Sequence, residues 1–215
     1  MKHSWFPIVF GRRCLQSQKR QMKIPKWPRK IPPAHLNGTP STTPCFPFNY
    51  SLMFEHVPAD YSFLRMYIHP PSGGDTLWAS ATEMYQRMST PFQKYLQTLT
   101  IQTSQYDTFN NAAAASGFEL WTEPRGHKLN QGNQFIAKHP VVRTNPVTGK
   151  NSLYGIGLHV EKVNDVTKAE SDYLLKKFLD TITQNHDLQV RFRWEPNSCA
   201  IWDNRAVCIS EMSSN

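Results

Sequence analysis

Gln189-Val-Arg-Phe-Arg-Trp-Glu-Pro-Asn-Ser-Cys-Ala-Ile-Trp-Asp-Asn-Arg205 is the stretch that decides the fold. Val190, Phe192 and Trp194 alternate with Gln189, Arg191 and Arg193. Apolar residues at every second position put one face of an extended segment against a core and leave the other in water. Glu195-Pro-Asn-Ser198 carries turn chemistry, because proline presets its own φ and asparagine tolerates left-handed backbone. Cys199-Ala-Ile-Trp202 then resumes as a short apolar strand that ends in polar Asp203-Asn-Arg205. The pattern predicts a β-hairpin whose return arm carries a polar cluster out of an apolar wall. Core packing alone would account for it.

Working outward, Leu64, Met66 and Ile68 alternate with Phe63, Arg65, Tyr67 and His69, so Ser62–His69 is expected to be a strand with one aliphatic face. Pro70-Pro-Ser-Gly-Gly-Asp75 is a turn, after which Thr76-Leu-Trp78 rejoins the sheet. Val141–Thr144 and Ser152–His159 flank the turn Asn145-Pro-Val-Thr-Gly149 and predict a second hairpin. Helices are expected over 80–88 and 91–99, with Met84, Met88, Phe92, Leu96 and Leu99 at helical spacing and Ser89-Thr90 before Pro91. The clearest helix opens at Asp165, where Thr167 and Glu170 fit a capping box. Tyr173, Leu174, Phe178, Leu179 and Ile182 supply its apolar stripe. Thr103–Gly132 reads two ways: Ala112–Ala115 suggests a helix and Gly126–Gly132 a mobile loop.

Three blocks, in order, carry a resemblance: Gly73-Gly-Asp-Thr-Leu-Trp78, His139-Pro-Val-Val-Arg-Thr-Asn-Pro-Val-Thr-Gly-Lys150, and Arg191-Phe-Arg-Trp-Glu-Pro-Asn197 with Ala200-Ile-Trp-Asp-Asn-Arg205. They resemble the TauD/TfdA (taurine dioxygenase) family of Fe(II)/2-oxoglutarate-dependent dioxygenases, over about residues 54–207. The resemblance implies an α+β, mainly β fold, here an incomplete double-stranded β-helix of jelly-roll or cupin type with flanking helices. It also implies oxidative hydroxylation of a small organic acid or sulfonate, and a lid over the site within 103–132.

That chemistry needs two histidines and a carboxylate on one face of the iron, with the remaining positions open. The family's His-x-Asp pair falls on Asn49 and Ser51, and its distal histidine falls on Ile209. The family's 2-oxoglutarate arginine lies further along, and the chain ends at Asn215 before reaching it. Of the matched 2-oxoglutarate contacts, Thr76 alone is retained. The expectation is therefore no catalytic and no metal-binding residue, with neither Fe(II) nor 2-oxoglutarate bound. His159-Val-Glu161 has the His-x-carboxylate spacing, and His56, Asp60 and His69 are further imidazole or carboxylate groups, but a lone strand histidine is ordinarily structural. Flanks changed on both sides suit an altered exon boundary, a splice variant or a damaged gene. The alternative is a dedicated pseudoenzyme acting as a binding or interaction module.

Charge separates two regions. Of the 24 Lys and Arg, nine fall within residues 1–54, which hold no Asp or Glu. The remainder, with all 16 acidic residues, is close to neutral, which argues against nucleic-acid binding. Residues 1–50 are basic and rich in proline and are expected to be a disordered arm, with 51–215 as the partial β-helix domain. Four cysteines form no C-x-x-C pair, which suits a reducing compartment. No apolar run reaches membrane-spanning length. A cytoplasmic protein acting on a small molecule is expected, with a mitochondrial presequence as the second reading of the N-terminus.

Overall fold

Thr76-Leu-Trp-Ala-Ser80 is apolar or small at nearly every position, the composition of a strand covered on both faces. The computed structural model describes residues 8–11, 48, 50, 52–68 and 73–211, with backbone alone at 8–11 and 211. Within them the strands are β1 Ile8–Gly11, β2 Tyr61–Arg65, β3 Thr76–Ser80, β4 Thr100–Ser104, β5 Ile136–Pro140, β6 Val142–Thr144, β7 Asn151–Leu153, β8 Val160–Val163, β9 Gln189–Phe192, β10 Cys199–Asp203 and β11 Val207–Glu211. The helices are α1 Ala81–Gln86, α2 Thr90–Leu96, α3 Tyr106–Ser116 and α4 Lys168–Gln184. The fold is α+β. Its antiparallel sheets run β11-β3-β9, β1-β10-β2, β5-β4-β8 and β6-β7.

The period of two along β3 sorts its side chains onto two faces. Trp78 and its cross-strand neighbour Ile209 join Val207, Trp194, Ala200 and Trp202 in one cluster. Ala79 and its neighbour Cys208 belong to the other core, with Met84, Leu174 and Phe178 from the helices. The β11-β3-β9 sheet is thus a partition between two hydrophobic cores. Cys199 and Cys208 are buried, as their apolar context implies.

The hairpin expected over Gln189–Trp202 is not formed. β9 pairs with β3, whereas β10 pairs with β1 and β2, so the two arms lie in different sheets. The aromatic residues explain this: a hairpin would set Phe192, Trp194 and Trp202 side by side on one sheet. Crossing between sheets sets them around Trp78 from both sides, with ring centroids 5.6 to 6.3 Å from it. Asn197 adopts the left-handed φ of 67° at the turn, and its N–H donates to Met66 O at 2.7 Å. The second hairpin does form, with β6 against β7.

Other boundaries shift. β2 ends at Arg65, and Ile68 is 88% exposed, so the aliphatic face stops at Met66. Ser152–His159 is strand only to Leu153. Residues 106–116 form α3, ended by Gly117 at φ 67°. The following loop is pinned: the Arg125 guanidinium meets buried Glu55 at 2.5 Å and donates to the carbonyls of Trp121 and Gly132. Asn130 exchanges hydrogen bonds with both backbone groups of Val57. The glycines at 126 and 132, both at φ 75°, serve turns within that held loop. In the N-terminal arm, expected to be disordered over 1–50, Ile8–Gly11 is strand β1, paired with β10, and Phe48 and Tyr50 are buried in the helix-backed core; the remaining arm residues, with Cys14 and Cys45, lie outside the described residues.

The capping box of α4 is present, Thr167 accepting from Glu170 N–H and Glu170 from Thr167 N–H. Leu174, Phe178 and Ile182, four residues apart, are buried. Tyr173 is 64% exposed, a correction to the expected stripe. It sits about 100° round the helix from Leu174 and off the i, i+4, i+8 line.

The Asp203-Asn-Arg205 cluster is a lock on the crossing between β10 and β11. Asp203 accepts from Arg205 N–H, Nε and a terminal nitrogen at 2.8 to 2.9 Å, and from Asn145 Nδ2 at 3.0 Å. Arg205 also reaches Asp60 at 3.4 Å and lies over the Tyr61 ring. Asn204 bonds Ala59 O and Ser62 Oγ. Burial alone would raise the Asp203 carboxyl pKa, but the bonds from Arg205 and Asn145 outweigh it and hold it below the usual carboxylate range.

Two outcomes are expected in urea denaturation. Phe178→Ala should lose about 3–5 kcal/mol while Tyr173→Ala stays within about 0.5 kcal/mol; equal losses would contradict the assigned helix face. Arg205→Met, which leaves Asp203 buried without its cation, should lose about 3–5 kcal/mol. Because the Asp203 pKa is depressed on folding, its contribution is full above the unfolded value of about 3.9 and fades as pH falls through the folded value. Asp203→Asn should therefore flatten the fall in stability below about pH 4, relative to the parent chain.

Candidate active site

Thr76 opens β3 and lies opposite Phe192 in the ladder, on the face that carries Trp78. It is 4% exposed, and its hydroxyl oxygen accepts from Trp194 Nε1 at 2.9 Å. Beside it, Asp75 accepts from Arg191 Nε at 2.6 Å. Ile209 is on the same face, opposite Trp78, and is 9% exposed. The fold thus brings Thr76 and Ile209, the two described positions singled out by the resemblance, to one wall that also carries Trp78. Isoleucine has no lone pair to offer there. Asn49 and Ser51 lie outside the described residues, as does His69.

Among the described residues the other candidate histidines do not converge on this wall. His159 bonds Gln105 through Nδ1 and meets the Phe54 ring edge-on at 5.5 Å; burial lowers its pKa. Glu161 is exposed and accepts from Gln102 at 2.6 Å. Despite their spacing, the two do not converge. His56 is exposed, and Asp60 faces Arg205. His139, within the second matched block, is buried with Nε2 3.0 Å from Glu55 O and its ring against Tyr154. Burial, with nearby Arg143, lowers its pKa, so it is a neutral core histidine near pH 7. Among the described residues no group of three or more His, Cys, Asp or Glu could hold a metal ion.

Tyr50, between the two positions matched to His-x-Asp, is fully buried; its hydroxyl donates to Leu153 O, and burial pushes its pKa well up. Trp202 Nε1 is buried with no hydrogen-bond partner among the described residues. The Glu55–Arg125 and Asp203–Asn145 contacts join residues 70 and 58 apart, and no local pattern foretells them. Only the polar run after Trp202 hinted at the second.

Comparison with known proteins places this geometry. Residues 11–208 match the model of the "Taurine catabolism dioxygenase TauD, TfdA family", reaching further N-terminally than the three blocks quoted above. The chain is 49% identical over 155 residues to an alpha-ketoglutarate-dependent dioxygenase, oryG, of Aspergillus oryzae, covering 72% of this chain and 45% of that protein. It is 34% identical over 154 residues to an alpha-ketoglutarate-dependent sulfonate dioxygenase of Saccharomyces cerevisiae, covering 72% and 35%. A crystal structure of a taurine dioxygenase from Burkholderia xenovorans superposes with a TM-score of 0.61 at 26% identity, covering 77% of this chain and 50% of that one. The chain spans about half the length, or less, of the relatives it matches. With these matches and the shared fold, the chain belongs to the taurine catabolism dioxygenase TauD, TfdA family.

Proposed function

We propose that this chain, as it stands, is a non-catalytic member of its family, a binding or interaction module built on a double-stranded β-helix. Supporting that architecture, the chain passes from β2 to β3 and from β9 through β10 to β11 by changing sheet each time. The observation that carries the functional reading is Ile209, an aliphatic side chain packed beside Trp78 where the family's distal histidine is expected. Asn49 and Ser51 stand in place of the His-x-Asp pair. These residues do not fit an Fe(II) centre. The Thr76 hydroxyl is already taken up by Trp194, and one hydroxyl, worth about 1 kcal/mol of net hydrogen bonding, does not retain a dicarboxylate.

The second reading is a 2-oxoglutarate-dependent dioxygenase acting on a small organic acid or sulfonate, with Fe(II) and 2-oxoglutarate as cofactors. The 49% identity to the Aspergillus dioxygenase and the likeness to the yeast sulfonate dioxygenase favour it for a chain whose flanks carry the ligands. On the second reading the substrate is a small molecule, and on either the near-neutral charge beyond residue 54 gives no electrostatic support for a nucleic-acid partner. No helix of the described residues is long and apolar enough to cross a membrane. A cytoplasmic location, with a mitochondrial presequence as the alternative, remains the proposal.

Titration calorimetry with Mn(II), with and without 2-oxoglutarate, separates the readings. The chain should give no saturable heat, and Asn49→His/Ser51→Asp/Ile209→His should gain a one-to-one metal site. Stoichiometric Mn(II) binding by the unaltered chain would sink the non-catalytic reading.

A further inference from the structure

Leu52-Met-Phe-Glu-His-Val57 follows directly on Ser51, and three of its carbonyls are held from three different elements. Thr103 Oγ1 on β4 donates to Met53 O at 2.8 Å, His139 Nε2 on β5 lies 3.0 Å from Glu55 O, and Asn130 Nδ2 in the loop after α3 donates to Val57 O at 2.7 Å. Glu55 is 6% exposed, and its carboxylate takes two nitrogens of the Arg125 fork, Nε at 2.5 Å and a terminal nitrogen at 3.2 Å. The other terminal nitrogen of Arg125 donates to Trp121 O at 3.0 Å and to Gly132 O at 2.8 Å, one at each end of the loop. One guanidinium thus closes the loop and fastens it to the turn.

Two bulky residues beside this junction carry left-handed backbone, Leu52 at φ 60° and Phe135 at φ 47°. Such a conformation costs free energy in a bulky residue and persists only where the surroundings over-determine it. Leu52 O accepts from Glu55 N–H at 3.0 Å. The Phe135 ring lies against the Arg125 guanidinium, 4.6 Å from carbon to centroid, and edge-on to Phe54 and Phe109. Both positions are therefore braced by the residues of the Glu55–Arg125 contact. We propose that Arg125 is a positioning residue that makes the turn at 52–57 and the loop at 121–132 one cooperative unit. The loop, in the region where the resemblance expects a lid, then opens only together with the turn that follows the His-x-Asp positions. Lysine does not replace arginine here, because one ammonium cannot set a planar fork on a carboxylate and also reach carbonyls on its far side. The coupling is reciprocal, so whatever orders the loop orders the turn. It belongs to the chain with or without iron and is independent of the metal titration above.

Hydrogen–deuterium exchange of the full chain tests this, read at 52–57, at 121–132 and in α4. Glu55 N–H, bonded to Leu52 O, reports on the turn, and Gly132 N–H, bonded to Thr122 O, reports on the loop. Arg125→Lys keeps the charge but loses the fork; it should speed exchange about tenfold or more in both segments and leave α4 unchanged. Glu55→Gln, a milder change confined to the turn, should also speed exchange at Gly132. Glu55→Gln/Arg125→Lys should exchange no faster than the faster single variant, because both substitutions break the same contact. Loosening confined to the segment that carries the substitution, effects that multiply in the double variant, or equal acceleration in α4 would overturn the proposal.

Discussion

The fold depends on one strand being apolar on both faces. β3 carries Trp78 into the tryptophan cluster and Ala79 into the helix-backed core, and its neighbours β9 and β11 follow its division. Fully buried strands of this kind are continuous in hydrophobicity, because neither face meets water. Once β3 is so placed, the sheet containing β10 must cover the tryptophan side and α1 and α4 must cover the other. The small residues at 79 and 81 let helix and sheet approach, while the large indole fills the gap between sheets.

Local features of this arrangement were legible in the sequence. The capping box at Thr167, Pro91 in the first turn of α2 and the turn at Asn145–Gly149 all act within five residues, and each occurs as the pattern implies, whereas Ser80, read as helical, caps α1 instead and Ser89 precedes α2 without a side-chain cap hydrogen bond. Pairing was harder. An alternating strand, a turn and a second strand look alike whether they form a hairpin or cross between two sheets. What separates the cases is where Phe192, Trp194 and Trp202 find partners, and their partner Trp78 lies more than a hundred residues earlier. Tyr173 was misplaced for a different reason: amphipathic stripes blur at their margins, and tyrosine is content on either side of one.

The candidate site shows the same limit. Ile209 and Thr76 could be matched to positions by the blocks that flank them, but their shared wall follows only from the register of β11 on β3. Local spacing of His159 and Glu161 suggested a pair, yet their partners, Gln105 and Gln102, draw them apart. Spacing alone does not converge side chains; the neighbours that already satisfy them decide. Ile209, opposite Trp78, is part of the tryptophan-side core.

The strand order also sets a sequence of events. β10 joins β1 and β2, and the Asn204 and Ser62 side chains that help close this sheet are 142 residues apart. On a ribosome, β2 would leave the exit tunnel long before its partner is made, whereas β4, β5 and the β6–β7 hairpin can assemble from nearer contacts. The tryptophan side of the molecule therefore closes last, when the polar lock after Trp202 emerges. Until then β2 lacks its β10 neighbour, and an unpaired strand of this kind is where a β-rich chain is most exposed to aggregation during synthesis.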